Sequence, residues 1–173
     1  MGWVKLHGEF SGKEEGQETE DEISRRWKAS EAAGMLRPTM IADIARNCVS
    51  CHVVPHEDLV NVGGHPAGSD FELVSWSQGN IRHNNFYTKG SENKIASVER
   101  QRLLYVVGIL AEMELVLKTV GTAKEVGNYA KANARRVGAL RQKLAAATAA
   151  TKHPELLKAL NAVGKLKMSL KNQ

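Results

Sequence analysis

The run Leu103-Leu104-Tyr105-Val106-Val107-Gly108-Ile109-Leu110-Ala111-Glu112-Met113-Glu114-Leu115-Val116-Leu117-Lys118-Thr119-Val120-Gly121 decides the fold. Leu103, Val106 and Val107, Leu110, Met113 and Leu117 recur every three or four residues, the spacing that lines one face of an α-helix, and Gly121 supplies a stop. Two further stripes lie toward the C-terminus. The first contains Val126, Tyr129 and Ala130, Val137, Leu140 and Leu144, preceded by Thr122 and Glu125 at capping-box spacing. His153-Pro154 breaks it, and Leu156, Leu157, Leu160, Val163 and Leu166 or Leu170 form the second. Short connections between such stripes predict an antiparallel helical hairpin plus a third helix.

Toward the N-terminus the pattern changes. Pro55, Gly63-Gly64, Pro66, Gly68, Gly79 and Asn84-Asn85 punctuate residues 53–90, leaving room for one short helix at 69–78. So long an irregular stretch inside a compact domain requires an organiser, and a large buried cofactor would serve. Before it, a helix over 40–47 runs into Cys48. Thr19 and Glu22 form a capping box for a helix over 20–33, which Gly34 ends. Residues 8–22 read as a polar, acidic loop with Gly8, Gly12 and Gly16 as breakers. The expected fold is therefore mainly α. A loop-rich segment, residues 1–92, packs on a helical segment, residues 93–173, as one unit.

Composition bounds the classes. Hydrophobic residues are 42% and charged residues 25% of the chain, ordinary for a globular protein, while aromatics are only 5%, which with the Ala- and Leu-rich second half favours helices over sheets. No stretch approaches the roughly 18 consecutive apolar residues of a membrane span. Residues 1–90 carry 9 Lys+Arg against 13 Asp+Glu, and residues 91–173 carry 15 against 6. The basic half suits an acidic protein partner, an anionic surface or nucleic acid. Its cations are spread at helical spacing and no nucleic-acid motif accompanies them, so a solvated helical surface is the preferred reading and no nucleic acid is expected.

Chemistry is concentrated in Cys48-Val49-Ser50-Cys51-His52, which contains both cysteines of the chain. This C-x-x-C-H pattern is the attachment signature of haem c. Two thiols three positions apart can add to the two vinyl groups on one porphyrin edge, and the adjoining imidazole then reaches the iron. The competing readings are incidental cysteines, a redox C-x-x-C pair, and half of a zinc site. A redox pair wants a βαβ context that is missing. Zinc would need His56 and His65 as its second pair. A helix leading into the motif favours haem c, with its iron, as the cofactor.

Candidates for the second axial position are His7, His56, His65, His83 and His153; no Met has a helpful context. His56 comes only four residues after His52, a reach of at most ~14 Å, too little to pass round a porphyrin edge. His65 in Gly63-Gly64-His65-Pro66 is the first choice, because the glycines permit close backbone approach. His83 and then His7 are the alternatives, and an open iron site stands beside them. Arg82 suits a haem propionate, or a surface ion pair. Phe71 and Trp76 are expected in the haem-side core. Asp70 and Glu72 read as partners of a ligand imidazole, or as acids at a helix N-terminus after Ser69.

The segments Asn47 to His52, Leu59 to Leu73 and Trp76 to Asn84 resemble multihaem c-type cytochromes of the nitrifier tetrahaem cytochrome and hydroxylamine-oxidoreductase superfamily. The resemblance covers roughly residues 1–120, including Gly2-Trp3-Val4-Lys5-Leu6-His7-Gly8, which is similar to the segment just after an upstream haem motif in such proteins. It implies a bis-histidine, low-potential haem with His52 as proximal ligand and His65, His7 or His83 as distal ligands, toward neighbouring haems in some cases. It also implies a periplasmic or extracytoplasmic location. The sequence departs from the pattern in having one haem motif and no signal peptide at Met1-Gly2-Trp3, as a trimmed piece or a one-haem relative would. The function expected is electron transfer with redox partner proteins, other haem subunits or self-association, rather than enzymatic turnover. The alternative is an open-site haem protein that binds or converts a small ligand such as a nitrogen oxide.

Overall fold

The computed structural model describes residues 2–79 and 94–167. It is helical, with no strand among the described residues. The chain divides into two compact units, residues 1–40 and 41–173.

In the first unit, α1 (Gly2–Gly8) and a short 3-10 turn (Phe10–Gly12) precede α2 (Glu20–Ala32). The capping box predicted at α2 is formed. Thr19 Oγ1 accepts from the Glu22 amide, and the Glu22 carboxylate accepts from the Thr19 amide at 2.8 Å. Gly34 ends the helix as expected: at φ +97 it turns the chain so that the Met35 amide reaches the Ser30 carbonyl at 2.9 Å. The expectation of a loop over 8–22 holds only from Lys13 to Thr19, because the chain is helical through Gly8 and again at 10–12. A nearly buried pair stabilises the unit: Arg26 donates to both Glu18 oxygens and to the His7 carbonyl at 2.7 Å.

The second unit begins with α3 (Ile41–His52) and α4 (Glu57–Asn61), and then α5 (Leu73–Gln78). Two 24-residue helices, α6 (Val98–Gly121) and α7 (Asn128–Thr151), and then α8 (Pro154–Lys165) complete it. Ala45 and Val49 of α3, with Val53 just after it, join Leu104, Ile109, Met113 and Val116 of α6 and Val137, Leu140 and Leu144 of α7 in one core. Those α7 residues, with Tyr129 and Ala130, are named by the sequence stripe, whose first member, Val126, is instead exposed and precedes the helix. On α6, Met113 of the stripe is buried and Val106, Val107, Leu110 and Leu117 pack partly buried against the core, but the most buried face runs through Leu104, Gly108, Ile109, Ala111, Glu112 and Val116, and Leu103 is exposed.

Three boundaries differ from expectation. The helix over 40–47 continues through the whole cysteine motif to His52. Glu57–Asn61 forms an unanticipated helix, and the helix expected over 69–78 starts only at Leu73, where the Glu72 carboxylate caps the Val74 and Ser75 amides, both at 2.8 Å. Thr122 does not open α7: its hydroxyl donates back to the Lys118 carbonyl at 2.8 Å, and the N-cap of α7 is Gly127. The cap there comes from afar. Asn61 Oδ1 accepts from the Tyr129 amide at 2.9 Å, while Glu57 accepts from the Lys124 amide at 2.8 Å, tying α4 to the start of α7.

Helix α5 lies close on α6 because Gly108 has no side chain. A Cβ there would fall 2.9 Å from Leu73 Cβ. Gly108→Ala is therefore expected to lower unfolding stability by about 1–3 kcal/mol through overpacking, read from the midpoint of urea denaturation. A second expectation concerns acid. Hydrogen bonds from Lys13, then from the Thr19 amide and hydroxyl, hold the Glu22 carboxyl down to about 2 from an ordinary 4.5. Its contribution to the first unit is complete above pH 4.5 and is lost as pH falls through about 2. An NMR titration should place the Glu22 midpoint near 2, and Thr19→Ala should raise it.

Candidate functional site

Burial of Val49 orients the cysteine motif. Val49 lies inside the pattern and is fully packed in the core beside Ala45 and Val53. Each helical residue turns about 100° from the last, so Cys48 flanks the buried face and Cys51, two residues on, points away from it. Cys48 is accordingly half-buried against the core and Cys51 exposed, and both are free thiols. Burial pushes the Cys48 thiol above its ordinary value.

His52 ends the helix in an aromatic setting. Its ring stacks on Phe71 at 4.2 Å with an interplanar angle of 17°, and Trp76 stands 5.4 Å away. Phe71 is buried as expected, whereas Trp76 is 44% exposed and forms the outer wall of the cluster. His52 Nδ1 lies 2.9 Å from Ser69 Oγ, and the same hydroxyl lies 3.4 Å from the His52 carbonyl. A hydroxyl has one proton. Where that proton goes to the His52 carbonyl, the Ser69 oxygen receives Nδ1–H and Nε2 carries the lone pair; where it goes to Nδ1, the ring proton sits on Nε2.

The other histidines have different settings. His65 lies exposed on the turn after α4, with Gly64 at φ +70 beside it. Its amide donates to the Leu59 carbonyl at 3.1 Å, and Nδ1 lies 2.8 Å from the Pro66 carbonyl. Because that carbonyl accepts only, Nδ1 of His65 bears the proton. His56 is the N-cap residue of α4. His153 caps α8: its Nδ1 accepts from the Glu155 amide at 3.3 Å, which accounts for it structurally. His7 belongs to the first unit, beside Trp3 at 6.5 Å. His83 and Arg82 lie outside the described residues.

Ser69 is the site residue that sequence reasoning missed. Of the two readings of Asp70 and Glu72, partners of a ligand imidazole or acids at a helix N-terminus, Glu72 follows the second, since its carboxylate caps α5. A serine before an acid reads as an ordinary turn residue, and only the fold brings it back seventeen positions to His52. The residues present suit a thiol-tethered, nitrogen-ligated cofactor: two free thiols one helical turn apart, then an imidazole held at Nδ1 by Ser69. No helix among the described residues is long and apolar enough to cross a membrane. Comparison with protein-family models, curated proteins and solved structures finds no match to this chain.

The two thiols should be distinguishable in the haem-free chain. At about pH 8 iodoacetamide should modify exposed Cys51 several-fold faster than Cys48, as read by peptide mass spectrometry, because burial both shields Cys48 and suppresses its thiolate.

Proposed function

We propose that this chain is a c-type cytochrome of the multihaem superfamily it resembles, carrying one covalent haem on Cys48 and Cys51 and transferring electrons. The observation that carries the reading is the set of chemical groups on one turn: free thiols at Cys48 and Cys51, then His52 with Nδ1 engaged. Nitrogen ligands are commonly held through a hydrogen bond on the ring's other nitrogen. His65 has the same disposition, which supports it as the distal ligand, with His83 and His7 as alternatives.

When bound, haem c supplies a one-electron iron couple. The chain's own residues do the rest. Cys48 and Cys51 tether the porphyrin edge, His52 presents Nε2, and Phe71 and Trp76 hold the imidazole plane and exclude water from it. Arg82 is assigned to a propionate. The loop-rich stretch after α3 packs on the hairpin of α6 and α7 with α8 behind it, and the partners are redox proteins or another haem subunit. The site of action is periplasmic or extracytoplasmic.

The test is an absorption spectrum of chain matured with the haem c machinery, recorded oxidised, reduced, and reduced under carbon monoxide. Covalently bound haem with a low-spin reduced spectrum that carbon monoxide leaves unchanged is expected, and Cys48→Ser with Cys51→Ser should abolish attachment. A high-spin spectrum that shifts under the gas would remove His65 as ligand and favour the open-site reading. Absence of haem would overturn the proposal.

A further inference from the structure

Arg136 lies in the middle of α7, outside every motif in the sequence, yet it reaches the turn that holds His52. Its Nη1 donates to Glu112 Oε1 of α6 at 2.8 Å, and its Nη2 donates to the Ser69 carbonyl at 3.0 Å and more weakly to the Ala67 carbonyl at 3.4 Å. Both side chains of the ion pair are largely buried, 19% and 9% exposed. The turn is shaped for this grip. Gly68 adopts φ +89, and a Cβ there would lie 2.5 Å from Arg136 Nη2 and 3.0 Å from the His52 carbonyl. Ser69 in turn holds His52 twice, its amide donating to the His52 carbonyl at 2.8 Å and its hydroxyl lying on Nδ1.

We infer that Glu112, Arg136 and Ser69 form a positioning relay that sets which ring nitrogen of His52 is protonated and where its Nε2 points. The inference builds on the cytochrome reading but acts on this chain's own atoms. A buried ion pair contributes little net stability over apolar residues of the same size, because desolvating two charges offsets their attraction. Its use here is directional. Glu112 anchors one arm of the guanidinium fork, and the other arm then has only the 67–69 carbonyls to meet. With the turn fixed, the Ser69 oxygen faces Nδ1–H, and the neutral ring is kept in the form whose Nε2 lone pair is free. A lysine at 136 could not make both contacts in one plane.

The experiment is nitrogen-15 NMR of the His52 ring in the haem-free chain, at a pH where the ring is neutral. Wild type should show the Nδ1–H form. Ser69→Ala should shift the ring toward Nε2–H, as in histidine with no partner on Nδ1, and Ser69→Thr, which keeps the hydroxyl, should restore it. Removing Arg136 alone strands the Glu112 carboxylate, so Glu112→Gln with Arg136→Gln is the working variant; Gly68→Ala is the second, since it displaces the guanidinium without touching either charge. Each should shift the tautomer while helicity is retained. In haem-loaded chain, Ser69→Ala should raise the reduction potential, since an imidazole that has lost its Nδ1–H acceptor donates less electron density to ferric iron. An unchanged tautomer in Ser69→Ala, or in both folded variants that disturb Arg136, would overturn the relay. Failure to take up haem would sink the cytochrome reading alone, because the NMR result needs no haem.

Discussion

Everything at the site depends on burying one side of α3. Ala45, Val49 and Val53 lie four residues apart and pack against α6 with almost no exposure, each valine worth about 1.5–3 kcal/mol in buried apolar surface. Because Val49 sits between the two cysteines, its burial and the cysteines' orientation are one constraint. The helix cannot rotate to hide Cys51 without lifting Val49 out of the core. The chemistry-bearing residues thus inherit their precision from an apolar contact, and the helix that displays them is as rigid as the core beneath it.

A second constraint works across the helices. Residues 64–70 lack helical hydrogen bonds of their own, so their polar backbone groups must find partners elsewhere. The His65 amide goes to Leu59, the Ser69 amide to His52, and the Ser69 and Ala67 carbonyls to Arg136. Replacing either member of the Glu112–Arg136 pair would leave its mate charged and buried, at a cost of about 3–5 kcal/mol. The pair therefore persists even if its net contribution to stability is small, and the turn it grips stays with it.

Residues with a local signature were legible in the sequence. Thr19, Glu22 and Gly34 predicted the bounds of α2, because capping chemistry is written within a few positions of the helix end. The stripe from Tyr129 and Ala130 through Val137, Leu140 and Leu144 predicted the buried face of α7 for the same reason, and only its first member, Val126, falls outside the helix and is exposed. The extension of α3 through the motif was not legible, since Cys, Val and Ser have only middling helix propensity and tertiary burial of Val49 decides the matter. Nor was the cap of α7. Thr122 and Glu125 satisfy the local rule, but α7 starts later, where Asn61 accepts from the Tyr129 amide and Glu57 from the Lys124 amide, each partner more than sixty residues upstream. Ser69 and Arg136 escaped notice on the same principle, as neither has a neighbour in sequence that betrays its partner.

The turn between α4 and α5 is where these threads meet. One short stretch supplies the acceptors for two histidines: the Pro66 carbonyl for Nδ1 of His65, and the Ser69 hydroxyl for Nδ1 of His52. Gly64 and Gly68, both at positive φ, make the two reversals that this requires, and the second leaves no room for a Cβ beside Arg136. The glycine- and proline-rich composition that marks this stretch as irregular is therefore what lets it be specific. A regular helix or strand would spend its carbonyls on its own ladder. An irregular turn, gripped from outside by a buried arginine, has them free to set the protonation of an imidazole.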